Sequence, residues 1–213
     1  EPFDTVTMKA SVSGLVMDVN LDAEGKILDG TRIIHLDDTL DIKNLEASQK
    51  SAQLLQEMLD INKDIATSLR NTVKRQEGYY ERINKLSTAS KTQKDNAYSS
   101  FTSAKTQYLG IKEKIVSLEK QILDMDYKIA QLEDSIAKKS LVLNHKYLYK
   151  LMVRQGDFVA PGSALAEVMD ASSAKLVLFL EPDELDKLDQ KKIYLDNKKT
   201  EYKVNKVWRV TDE

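Results

Sequence analysis

Apolar positions in the middle of the chain recur at alternating steps of four and three. From Ala97 they fall at Phe101, Ala104, Tyr108, Ile111, Ile115, Leu118, Ile122, Met125, Ile129, Leu132 and Ile136. This spacing keeps one face of a helix apolar over many turns and reads as a coiled-coil seam. A sparser seam precedes it, with Leu45, Ala52, Leu59, Ala66, Val73 and Tyr80 at sevens. Its companions, three residues on, are Ser48, Leu55, Asn62, Leu69, Gln76 and Ile83. The stretch KLSTASKTQK (85–94) between the seams has turn-prone Ser and Thr and no apolar period. The pattern therefore predicts an antiparallel helical hairpin with its bend near Ser87–Ser90.

A register follows if facing residue numbers sum to 177. Leu59 then meets Leu118, Leu55 meets Ile122, and Tyr80 meets Ala97, so that large side chains often face small ones. Asn62 and Gln76 oppose Ile115 and Phe101, where buried polar groups would select the register at some cost in stability. Each arm holds about 44 residues, which at 1.5 Å per residue makes a rod roughly 65 Å long. A two-helix rod encloses little volume for its length. It suits reach or partner contact rather than a pocket.

On either side of the rod the period changes. VSGLVMDVNLDAEGKILDGTRIIHLDD (12–38) and VRQGDFVAPGSALAEVMD (153–170) share one order of features: apolar strand, glycine turn, second turn, apolar strand. Gly14, Gly25, Gly30, Gly156 and Gly162 mark the strand starts and turns. Superposing Gly30 on Gly162 places Ile27 on Val159, Ile33 on Leu165 and Leu36 on Val168, with Gly25 one place late relative to Gly156. Neither piece can bury a core alone. An antiparallel hairpin returns the chain to its starting point, so the two flanks are neighbours and complete one small β-sandwich. The predicted fold class is α+β, a helical hairpin inserted between the halves of a lipoyl-like sandwich. The expected bounds are 6–41 for the first half, 42–140 for the hairpin with its bend at 87–91, and 141–174 for the second half. The start of a further β domain occupies 175–213.

Two half-motifs of the form G-x-x-V-x-x-G-x-x-L, split by a long helical hairpin, resemble the periplasmic adaptor subunits (membrane fusion proteins of the hemolysin-D family) of tripartite efflux and secretion systems. The resemblance covers residues 6 to about 175. It implies a periplasmic protein, held to the inner membrane by a segment outside this chain, whose subunits form a ring, six in the family. The hairpin tips would meet an outer-membrane channel of the TolC kind. The barrel end would meet an inner-membrane transporter, proton-driven or ATP-driven. At the tip, the family's docking residues are an Arg, a Leu four residues on, and a Ser near the turn. Arg82 and Leu86 keep that spacing, and Ser90 follows Leu86 by four residues rather than the family's seven. KLVLFLEPDELDKL (175–188), KKIYLDN (191–197) and EYKVNKVWRV (201–210) then look like the opening of the family's β-barrel. A chain that begins at Glu1 and stops part-way through a barrel reads as part of a longer protein.

Composition narrows the alternatives. Lys and Arg number 32 against 34 Asp and Glu, a formal charge of −2, so no strong field draws nucleic acid or an anionic surface. The 31% charged residues suit an elongated, well-solvated chain. There is no cysteine, which removes disulfide frameworks and thiolate chemistry. No phosphate-binding loop, zincin motif, nucleophile elbow or dinucleotide fingerprint occurs, so neither catalytic nor cofactor-binding residues are expected. His35 and His145 read as strand-edge or helix-end residues. Met8 and Met17 read as packing rather than soft-metal ligands. A lipoyl or biotinyl carrier would present a Lys in a tight turn joining the halves, and the hairpin occupies that place. The rival to a conduit adaptor is a structural coiled-coil tether of the envelope. Nine Ser or Thr among the twenty residues from Ser87 to Thr106 give the tip hydroxyls suited to close helix contact.

Overall fold

The computed structural model describes residues 5–170, 176–178, 181, 192–195, 197–201, 204, 206 and 207. The chain runs β1 (Thr5–Lys9), β2 (Gly14–Val19), a 3-10 turn (Leu21–Ala23), β3 (Ile27–Leu36), α1 (Thr39–Lys85), α2 (Lys91–Lys138), β4 (Ser140–Leu151), β5 (Phe158–Val159) and β6 (Ala164–Met169). Two short strands follow, β7 (Tyr194–Leu195) and β8 (Lys198–Lys199), paired antiparallel across a turn in which Asn197 has a φ of 61°. Most of 175–188 and 201–210, where further barrel strands were expected, lies outside the described residues.

The two helices form the hairpin. Every seam position of both arms is buried or half-buried, from Leu45 to Ile83 and from Ala97 to Ile136. Leu59 and Leu118 are both buried, at 4% and 3% exposure. Near the tip the Tyr80 ring stacks on Phe101 with centroids 6.2 Å apart and meets Tyr98 at 5.4 Å, while Ala97 is buried. Asn62 is buried in the seam, and its amide donates to the carbonyl of Met58 on its own helix, not to the facing arm. Gln76 is half-buried at its seam position.

The six main strands are antiparallel in the order β1-β6-β4-β3-β2-β5. Strands from before and after the hairpin are thus interleaved, with β6 and β4 lying together between β1 and β3, and they share one core. Val16, Ile33 and Leu36 from the first half cluster with Leu148, Leu151, Leu165 and Val168 from the second. The internal repeat is visible in the hydrogen bonds. Val16 pairs with Leu36 as Leu148 pairs with Val168, and Asn20 N donates to Ile33 O as Met152 N donates to Leu165 O. Each glycine turn clasps the opposite half. Gly25 N donates to Leu148 O while Leu148 N donates to Lys26 O; Gly156 N donates to Val16 O while Val16 N donates to Asp157 O.

Those bonds correct the superposition. Gly25 is the counterpart of Gly156, so Ile27 corresponds to Phe158 and Leu28 to Val159. Ile27 and Phe158 are both largely exposed, whereas Leu28 and Val159 are buried. The first half is one residue shorter between its two turns, and in a strand of period two a one-residue slip moves each side chain to the other face. Beyond Gly30 and Gly162, both at positive φ, the matches of Ile33 to Leu165 and Leu36 to Val168 hold.

Candidate docking tip and hairpin root

Six strands at one end and a bare turn at the other leave two places where chemistry could act: the tip and the root. At the tip, α1 ends at Lys85, with Arg82 and Lys85 in its last turn, where cations complement the helix dipole. Leu86 leaves the helix in extended backbone and donates its N–H to Ile83 O. Ser90 then opens α2 with a capping box: its hydroxyl accepts from Gln93 N at 3.2 Å, and its N–H donates to Gln93 Oε1 at 2.8 Å. The S-x-x-Q spacing that makes this cap stands in the sequence. Lys94 Nζ reaches across to Asn84 O at 3.0 Å and ties the arms together.

Arg82 is exposed and makes no hydrogen bond or ion pair among the described residues. Leu86 is 49% exposed on the turn. These two side chains thus occupy the same free end of the rod, one presenting a forked donor, the other an apolar surface. Ser90 is also exposed, but its oxygen is engaged in the cap. It can offer a partner its hydroxyl proton without giving up the helix start.

The root was less apparent from sequence. Lys139, between α2 and β4, donates to Asp37 O at 2.7 Å and pairs with the Asp41 carboxylate on the first turn of α1. Leu36 N donates to Lys139 O, and His35 Nδ1 lies 3.1 Å from Ser140 Oγ, with Nε2 3.5 Å from Asp38. Asp37 Oδ1 accepts from Thr39 N at 3.1 Å. The Thr39 hydroxyl and N–H hold the Asp37 carboxyl below its ordinary range, and the charge of Lys139 adds to this. The β module is stapled in a similar way: Glu24 Oε1 accepts from Leu151 N at 2.6 Å, linking the halves. His145 sits at positive φ on the surface beside Asp29, at 3.0 Å. Met8 packs on the core margin and Met17 is exposed on β2. The five turn and strand-start glycines hold the β module and lie outside the tip.

No protein-family model and no functionally described protein sequence matches the chain. Solved structures do. MacA from Actinobacillus actinomycetemcomitans superposes with a TM-score of 0.66 at 16% identity, over 81% of this chain and 51% of that one. The chain has the fold of MacA. It spans about half the MacA length. The periplasmic adaptor protein EmrA also matches, at a TM-score of 0.48 and 14% identity, over 79% of this chain and 72% of its own. The MacA-like arrangement of hairpin and β module agrees with the resemblance drawn from the half-motifs. Among the described residues no helix is long and apolar enough to cross a membrane.

Proposed function

We propose that this chain is the arm and β base of a non-enzymatic periplasmic adaptor that links an inner-membrane transporter to an outer-membrane channel of the TolC kind. The observation that carries the reading is the rod itself. Two long helices project from a β module whose halves close only at their root, and they end in an exposed Arg82, unpaired among the described residues, beside an exposed Leu86. Such a part transmits position and contact. The MacA-like fold supports it, and energy would come from the transporter, whether proton-driven or ATP-driven. In this reading the protein sits in the periplasm, anchored to the inner membrane through sequence beyond this chain, and copies assemble into a ring, as six in the family. Arg82 supplies several donors in a planar fork to carbonyls or carboxylates of the channel, Leu86 fills an apolar notch, and Ser90 donates its hydroxyl proton. Asn62 and Gln76 bias the seam toward one register, which fixes the height of the tip. The test is export of the system's substrate by cells whose adaptor carries Arg82→Asp. Export is expected to be lost while the variant's level and helicity stay unchanged; full export would remove Arg82 from the docking contact.

A further inference from the structure

Where β3 and β4 pair, each strand carries one residue without a counterpart. Leu28 faces Lys146, Asp29 faces Asn144 and Thr31 faces Leu143, so Gly30 and His145 are left over. Both lie in the left-handed region, at φ of 61° and 51°. Glycine adopts that backbone freely, whereas a histidine there is uncommon. The equivalent corner of the second half is simpler: Gly162, preceded by Pro161, donates its N–H to the backbone oxygen of Ala10. Gly30 N donates instead to a side chain, Asn144 Oδ1, at 3.1 Å. His145 Nδ1 lies 3.0 Å from Asp29 Oδ1. Two consecutive residues of β4 thus engage the side-chain carboxyl and the amide nitrogen of one Asp–Gly pair.

Those two groups can react with each other. The amide nitrogen after an aspartate can attack the side-chain carboxyl carbon, most easily when the next residue is a glycine with no side chain to crowd the approach. A nitrogen–carbon bond forms, the carbon–hydroxyl bond breaks, and the hydroxyl leaves with the amide proton as one water. A second water then opens the five-membered imide. Attack at the side-chain carbonyl restores the aspartate; attack at the main-chain carbonyl leaves the chain running through the side-chain carbon, an isoaspartyl link. Water is the only co-reactant. Asp29 and His145 are 64% and 84% exposed, and nothing lies within 4 Å of where a Cβ on Gly30 would stand. Water reaches this bond, and no packing shields it.

We propose that Asp29–Gly30 is a site of isoaspartyl formation in the β module, and that Asn144 and His145 hold it in check. To attack, Gly30 N must first give up its bond to Asn144. With its proton on Nδ1, the His145 ring donates to Asp29 Oδ1 and ties the carboxyl to β4. Both reacting groups therefore have to leave β4 before they can meet. This gives the left-handed corner at His145 a purpose: it sets an amide oxygen and an imidazole side by side over one peptide bond. Failure of the guard has a structural consequence. An isoaspartyl link adds a carbon to the β3 backbone, which throws the run from Thr31 to His35 out of step with its partners from Leu143 to Ser140. That run carries Ile33 and Ile34 of the core and ends at the hairpin root, where His35 meets Ser140. The proposal concerns the β module alone and stands apart from the adaptor reading.

Lys26 and Arg32 flank the site, so trypsin releases it as the short peptide ILDGTR, residues 27–32. The full-length protein is aged in mildly acid buffer, folded and in parallel in denaturant, before digestion. Mass spectrometry reads the imide as the loss of one water, and chromatography separates the isoaspartyl peptide from its isomer. Product should build up more slowly in the folded chain than in the denatured one. Asn144→Ala should raise the folded rate about two- to tenfold, what one hydrogen bond is worth, and leave the denatured rate unchanged. His145→Gly, which keeps the left-handed corner without strain, should also raise the folded rate, and it carries the test if Asn144→Ala does not fold. Asp29→Glu, whose longer side chain cannot close a five-membered imide, should give no product. Equal rates in folded and denatured chains would overturn the guard, as would folded rates unmoved by Asn144→Ala and His145→Gly. No isoaspartyl peptide from the denatured chain would overturn the site itself.

Discussion

Leu59→Ala tests whether the hairpin holds the β module together. Leu59 and Leu118 are large apolar seam residues less than one-tenth exposed, and no polar bond depends on either side chain. Truncation removes buried atoms and leaves a gap the seam cannot fully close, costing about 2–5 kcal/mol. The consequence beyond the seam follows from topology. His35 and Ser140 face each other across 105 residues of sequence. Closing such a span with a flexible chain costs about 4 kcal/mol in the length-dependent part alone. A folded hairpin removes most of that cost by delivering Ser140 beside His35. If hairpin and β module open as one unit, exchange of backbone amides in β3 and β4 should accelerate by about the same factor as in the helices. For 2–5 kcal/mol that is between roughly 30-fold and several thousand-fold. The assay is hydrogen exchange followed by mass spectrometry, comparing peptides over 27–36 and 140–151 with peptides over 50–66 and 110–125. Leu148→Ala, in the β core, is the counter-variant: it should loosen the β strands more than the distal hairpin. Faster exchange confined to the helices in Leu59→Ala, with β3 and β4 unchanged, would refute the coupling.

Three further outcomes are expected. Gly110→Ala, inside α2 with open space around an added Cβ, should raise the unfolding free energy by up to about 1 kcal/mol; the same change at Gly162, at a φ of +92°, should cost about 1–2 kcal/mol, both read by urea unfolding. Asn62→Leu should raise helix stability while loosening register, so that a Leu59→Cys, Leu118→Cys chain, which otherwise closes one disulfide, gains off-register products when Leu118→Cys is moved by one turn. Asp37, its carboxyl held below the ordinary range by Thr39 and then Lys139, contributes stability above the unfolded carboxyl pKa near 3.9 and loses it as pH falls through the lower folded value. An acid titration followed by circular dichroism should accordingly show a shallower loss below about pH 4 in Asp37→Asn than in the unaltered chain.

The parts of this fold that the sequence reveals are those governed by long, uninterrupted periodicity. Both seams repeat for many turns, so each seam residue reinforces the assignment of the next, and the burial of the helices follows them position by position. The β halves were legible as a repeat because their apolar strands and glycine turns come in the same order. The error at Ile27 arose where this logic is weakest: a turn one residue shorter inverts the face of a two-residue period, and only the bonds of Gly25 and Lys26 to Leu148 fix the phase. Lys139 was invisible for a different reason. A lysine at a helix end looks like solvated charge until the hairpin's return brings Asp37 and Asp41 beside it. At the tip, Arg82 and Leu86 were readable as a spacing, and the cap at Ser90 as S-x-x-Q.

The adaptor reading is tested most directly by contact at the tip in living cells. A photoactivatable cross-linking residue in place of Leu86, in the full-length chain expressed with its native partners, should on illumination form an adduct with an outer-membrane channel protein. Adducts with inner-membrane proteins alone, or no adduct from a chain present at its normal level, would contradict it.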